Sequence, residues 1–225
     1  MNDRTAHLTD IFIDSFVPLL MAGIKFTIPL TIISFILGFV LAFLTALARL
    51  SRWSILQRVA WFYVWIIRGT PLLVQLFIIF YGLPSIGVVI DAFTAAVIGF
   101  SISVGAYGSE IMRAAIQSIA KGQWEAAYSV GMTRSQALRR IVLPQAARVS
   151  LPPLANSFIS LLKDTSLAAT VTLTELFQKG QQITAVVYEP LLLYCEVALI
   201  YLIFSTVLSA VQHQLEHRFD RYAAR

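Results

Sequence analysis

Apolar residues run along this chain in long uninterrupted blocks. No Asp, Glu, Lys or Arg occurs from Phe26 to Ala48, Gly69 to Ile90, Ala92 to Ser109 or Val197 to Leu215, and each block approaches the roughly 20 residues that carry a helix across a bilayer. These blocks predict four membrane spans. A fifth, over 149–174, is less regular, because it opens on Pro152 and Pro153 and is interrupted by Lys163 and Asp164. Polar punctuation supplies the case for it.

Cytoplasmic loops of membrane proteins collect Lys and Arg. Arg49, Arg52, Arg58 and Arg68 follow the first block with no acid among them, and Arg113, Lys121, Arg134, Arg139, Arg140 and Arg148 follow the third against Glu125 alone. Five spans, over about 16–48, 61–83, 92–116, 149–174 and 191–215, place both basic stretches inside. The same count puts the tail with Arg218, Arg221 and Arg225 inside, and the N-terminus (Asp3, Asp10, Asp14) and the loop from Glu175 to Glu189 outside. The predicted fold class is therefore all-α integral membrane, one domain over 1–225, N-terminus outside and C-terminus inside.

Composition agrees: 58% of the 225 residues are hydrophobic and 13% charged, and the mean hydropathy is +0.76, too apolar for a soluble globule. The net charge of +5 follows from the sidedness of the basic loops, so no nucleic-acid partner is expected. The first residues lack the basic stretch of a secretory signal, so the first span is expected to stay attached. The single Cys195 excludes an internal disulfide.

One compact charged segment stands apart, the loop over 121–146. Gln123 to Val130 reads as helix, and Gly131 supplies a left-handed residue to end it. Thr133 with Gln136 forms a capping box that starts a second helix, which Pro144 should stop. Thr133, Ala137 and Ile141 should share one face of that helix, with Arg139 and Arg140 pointing elsewhere. A short amphipathic helix resting on lipid headgroups would explain the segment as well.

The order Glu125, Ala126, Ala127, then Gly131, then Ile141, Leu143 and Pro144 resembles the EAA loop of the membrane subunits of ABC importers. Arg68-Gly69-Thr70-Pro71, Gly122-Gln123 before the EAA start, and Lys163-Asp164-Thr165-Ser166-Leu167 resemble elements of the polar amino acid permeases. KGQWEAA, LPQAARV and LPPLANSFISLLKDTSLAAT are most similar to the cystine permeases among them. The resemblance covers nearly the whole chain. It implies a permease in the bacterial inner membrane that passes a polar amino acid, best L-cystine, inward. Implied partners are an ABC ATPase dimer, an extracytoplasmic substrate-binding protein, a second permease copy or paralogue, and membrane lipid. Glu125, Ala126, Ala127, Gly131, Met132, Ile141 and Pro144 become the residues that couple to the ATPase. No cofactor is expected on this chain, ATP and Mg belonging to the partner ATPase; no Walker A pattern GxxxxGK[ST] occurs.

Candidates for a substrate path are Arg68, Gln75, Glu110, Lys163, Asp164, Thr165 and Ser166. Pro71 deletes a helix hydrogen bond and Gly69 loosens the same turn, so the second span should kink or break there. Arg68 and Glu110 stand at similar heights and are expected to pair, with Arg113 one turn away as the competing partner. Lys163 and Asp164 point about 100° apart on a regular helix, which predicts divergent partners or local unwinding. Asp164 suits a substrate ammonium; Lys163, Thr165 or Ser166 suits its carboxylate. The alternative is a structural ion pair between the two charges. A rival from another class is an ion-coupled secondary transporter using Glu110, Lys163 and Asp164 as a relay.

His213 and His217 stand at i and i+4, but the intervening Glu216 is misplaced for HExxH, so no metal site is expected. Ser101, Gly105 and Ser109 form a small-residue face for close packing, or for a dimer seam.

Overall fold

The computed structural model describes residues 2–223, all of whose regular elements are helical. Arg225 lies outside the described residues, as do the side chains of Asp3, Arg218, Arg221 and His217. The α-helices are α1 (Asn2–Ala22), α2 (Ile28–Arg49), α3 (Ser54–Gly69), α4 (Leu72–Phe77), α5 (Ala92–Ser118), α6 (Lys121–Ser129), α7 (Arg134–Ala137), α8 (Leu143–Asp164), α9 (Leu176–Val187) and α10 (Pro190–Ala223).

Three breaks between these helices share one local cause. Pro29, Pro84 and Pro144 each stand two residues beyond a five-residue π turn, over Gly23–Thr27, Ile78–Gly82 and Leu138–Val142. A proline has no N–H to give, and its ring crowds the carbonyl four residues back. In each case the residue just before the proline donates its N–H five residues back: Ile28 to Gly23 O, Leu83 to Ile78 O and Leu143 to Leu138 O. The wider turn makes room for the ring. Pro144 therefore does not stop the second helix of the charged loop, as its sequence suggests. The helix continues from Arg134 through the π turn to Asp164.

The π turn also carries one extra residue, which rotates everything after it. Val142, not Ile141, comes to stand below Ala137: Ala137 and Val142 are fully buried, Ile141 is half-buried and Thr133 exposed. The predicted face of Thr133, Ala137 and Ile141 is thus split.

By length and composition, Arg4–Arg49, Ala92–Ser118 and Pro190–Gln214 are long and apolar enough to cross a membrane. The first runs for 46 residues through its π turn, roughly 70 Å at 1.5 Å per residue, against the expected 16–48. The second expected span, 61–83, is two arms, Ser54–Gly69 and Leu72–Ile86, bent by 104°. Thr70 and Pro71 are extended at the bend, so the break expected at Gly69–Pro71 is present. The fourth expected span, 149–174, is α8 followed by a 3-10 turn over Thr165–Val171; it is not among the strongly apolar helices.

Residues group into two compact units. One comprises Met1–Phe35, Pro71–Phe100 and Ile159–Ala210; the other comprises Ile36–Thr70, Ser101–Phe158 and Val211–Arg225. The first unit is built on Ile11, Leu19, Leu176, Leu193, Val197 and Ile200. Here α9 packs on α1, so the expected outer loop from Glu175 to Glu189 is in fact a helix with a buried cap. The second unit has two apolar centres, one around Ala42, Ala46, Met112 and Leu154 and one around Ala115, Ile116, Val142 and Ala146. Its small-residue face serves packing within the chain. A Cβ at Gly105 would stand 2.6 Å from Tyr63 Oη and 2.7 Å from a Leu41 methyl, and Ser101 and Ser109 are buried.

Candidate transport and coupling sites

Glu110 on α5 gathers three arginines. Arg113, one turn on, donates from Nη2 to Oε2 at 2.7 Å and from Nε to Oε1 at 3.2 Å. Arg49, at the end of α2, brings Nη1 to 3.1 Å from Oε1. Arg68, at the end of α3, is farther, its Nη1 at 3.8 Å from Oε2. Both proposed partners of Glu110 are therefore present, the competing Arg113 more closely than Arg68. Arg49, which the sequence marks only as a loop charge, is a third partner. Arg68 also lies over the Tyr107 ring, 5.3 Å from its centroid. Three guanidiniums against one carboxylate leave a net positive site. It opens on a cavity of about 460 Å³ that Trp61, Trp65 and Tyr107 also line. Such a site can receive a second carboxylate.

The segment after α8 belongs to the other unit. Lys163 and Asp164 end the α-helix, both exposed, and the backbone tightens into the 3-10 turn at Thr165. The local unwinding expected there is absent: both charges are α-helical, and the winding tightens after them. Among the described residues neither charge has an ion-pair partner within 4.0 Å. Thr165 is fully buried and its hydroxyl donates to Leu162 O at 2.6 Å, so it faces the core and not a path. Ser166 is half-buried, donating to Lys163 O at 2.8 Å. Gln75, on α4, is buried in this unit, where α4 packs on the 3-10 turn. The seven path candidates thus divide, Arg68 and Glu110 in one unit and the other five in the second.

The charged loop has the local structure its residues encode. Gly131 has φ of +77°, Gly131 N–H donates to Tyr128 O at 2.9 Å and Met132 N–H to Ala127 O at 3.0 Å. This pair of bonds satisfies the last carbonyls of α6. Thr133 accepts from Gln136 N–H at 3.3 Å and its own N–H donates to Gln136 Oε1 at 2.9 Å, completing the capping box. Ala127 is buried in the body, whereas Glu125, Ala126, Tyr128, Val130, Gly131 and Pro144 are exposed and Met132 half-exposed. The outward apolar surface is therefore Tyr128 and Val130, the latter 73% exposed; the second helix turns its apolar side inward.

Two acids are buried: Glu175, expected at the edge of an outer loop, and Glu196. Glu175 caps α9, accepting from Gln178 N–H at 2.9 Å, Tyr201 Oη at 2.7 Å and Thr27 Oγ1 at 3.3 Å. Glu196 accepts from Ser15 Oγ at 2.6 Å, and its Oε1 has no hydrogen-bond partner among the described residues. A lone acid inside the apolar run Leu191–Leu208 was the available signal.

The described residues contain no group of three or more His, Cys, Asp or Glu placed to hold a metal.

The family model for the binding-protein-dependent transport system inner membrane component matches residues 37–221. The chain belongs to that family. The permease is 56% identical over 222 residues to the L-cystine transport system permease protein TcyB of Bacillus subtilis (strain 168), covering 98% of this chain and 95% of that one. It is 40% identical to the glutamine transport system permease protein GlnP of Escherichia coli (strain K12), covering 90% and 93%. Among solved structures it is similar to an amino acid ABC transporter crystallised with histidines: TM-score 0.87, 36% identity, 92% and 96% covered. It shares its fold with the inward-facing MetNI methionine ABC transporter, at TM-score 0.75, 22% identity and coverage of 89% and 95%. The permease is thus the membrane subunit of an amino acid ABC transporter. Such a subunit implies an ATPase and a substrate-binding partner.

Proposed function

We propose that this permease forms the inward path for L-cystine in the bacterial inner membrane, as a multi-pass subunit with its N-terminus outside and the 121–146 loop inside. The observation that carries the substrate is the 56% identity, over 98% of the chain, to a relative named for L-cystine transport. Paired with a second copy or a paralogue, it receives the amino acid from an extracytoplasmic binding protein and draws on ATP and Mg held by an ATPase dimer. The bent second arm, the less apolar α8 and the three long helices make the five crossings. Exposed Asp164 meets the substrate ammonium, with Lys163 and Ser166 near its carboxylate. Arg68 beside Glu110, in the other unit, is a separate contact point for a carboxylate.

The exposed surface of α6 and the Gly131 turn sits in the ATPase, through Glu125, Ala126, Gly131 and Met132. Buried Ala127 and half-buried Ile141 hold the hairpin on the permease, and Pro144 sets the π turn beneath it. Movement of the ATPase is thereby passed to the helices that continue from the hairpin.

The test is uptake of labelled L-cystine into liposomes holding the permease, its ATPase and the binding protein. Uptake is expected only with ATP. Uptake driven by an imposed ion gradient without ATP would overturn the reading, and ATP-driven uptake of another amino acid in preference to cystine would overturn the substrate.

A further inference from the structure

The unit that contains the hairpin holds a second cavity, about 960 Å³ in volume, between the end of α2, the link to α3, the end of α5 and the hairpin. Its apolar lining includes Leu50, Ile116 and Leu138, and three cations, Arg52, Lys121 and Arg134, line it with no carboxylate. Among the described residues none of the three has an acid within 4.0 Å, since the ion pairs gather on Glu110. Arg134 is tethered by a long bond from Nη2 to Leu50 O, 3.5 Å.

Trp53 stands at the mouth, 73% exposed, and the exposed Ile55, Leu56 and Val59 lead away from it along α3. A phosphate ion alone would satisfy the cations and leave this apolar surface bare. Uncompensated cations over an apolar floor that runs out onto an exposed apolar helix match a molecule with an anionic head and an acyl tail.

We infer that this cavity binds an anionic phospholipid, its phosphate held by Arg52, Lys121 and Arg134 and an acyl chain laid from Trp53 along α3. The lipid would brace the base of the hairpin from behind, against the face opposite its exposed tip.

The experiment uses the full-length permease purified with its ATPase, stripped of lipid in detergent, and titrated with phosphatidylglycerol or phosphatidylcholine under native mass spectrometry. One phosphatidylglycerol per permease chain is expected, with phosphatidylcholine held at least about tenfold more weakly. Arg52→Gln with Arg134→Gln should weaken retention by about 25-fold, near fivefold for each cation, and Arg52→Lys should retain it. Arg139→Gln with Arg140→Gln, exposed cations outside the cavity, should leave it unchanged. Equal weakening by the two double variants would mean general surface attraction and overturn the site. Displacement by millimolar inorganic phosphate would make it a free-phosphate site. Binding to the permease alone but not to the ATPase complex would assign the cavity to the partner protein. Failure of cystine uptake bears on none of these outcomes.

Discussion

Arg113 Nη2 lies 2.7 Å from Glu110 Oε2, while Arg68 Nη1 reaches the same oxygen only at 3.8 Å. The shorter contact is a charge-assisted hydrogen bond; the longer is an electrostatic approach from a side chain that is 45% exposed. Arg113→Gln should therefore cost about 1.5–3 kcal/mol of stability, and Arg68→Gln no more than about 1 kcal/mol. Thermal unfolding in detergent measures the difference. If Arg68 serves the substrate, its glutamine variant should nonetheless lose transport at wild-type assembly; a stability loss as large as that of Arg113→Gln would reduce Arg68 to a structural role.

Gly131→Val probes the hairpin. With φ at +77°, a β-branched residue costs roughly 1–2 kcal/mol or re-angles the two helices. The variant should insert normally yet capture less ATPase and lose substrate-stimulated ATP hydrolysis. Glu125→Lys should do so more weakly. Co-purification with a tagged permease, scored beside hydrolysis rate, reads both, and wild-type stimulation in Gly131→Val would return the hairpin to a helix resting on lipid.

The Lys163–Ser166 segment separates path from core. Asp164→Asn should impair uptake with complex yield unchanged, because among the described residues the exposed carboxylate has no ion-pair partner within 4.0 Å to strand. Thr165→Val, in contrast, should lower yield and melting temperature with little change in uptake per assembled complex, because its buried hydroxyl is bonded to Leu162 O. Reversed phenotypes would sink the assignment of both residues.

Sidedness can be read with cysteines. In a Cys195→Ser background, which removes the exposed native thiol, an impermeant maleimide on intact cells should label Gln181→Cys and spare Ser129→Cys, both exposed positions. Labelling of Ser129→Cys alone would invert the arrangement.

The membrane character, the break at Gly69–Pro71, the left-handed Gly131 and the Thr133–Gln136 capping box were determined by the sequence alone. Each rests on chemistry confined to a few neighbouring residues: a missing N–H, a missing Cβ, a hydroxyl three residues from an amide. Each π turn has a proline two residues downstream, but Pro18, Pro152 and Pro153 lie within α-helices without such a turn, so the register shift that puts Val142 under Ala137 is not legible from the proline alone. Tertiary structure decided the partners. That Arg49 joins Glu110, that Thr165 faces inward, and that Glu175 is enclosed by Thr27 and Tyr201 depend on where distant helices meet. The charge or hydroxyl of a residue states what it needs, but the geometry of packed helices determines which of several equivalent partners comes within hydrogen-bond reach.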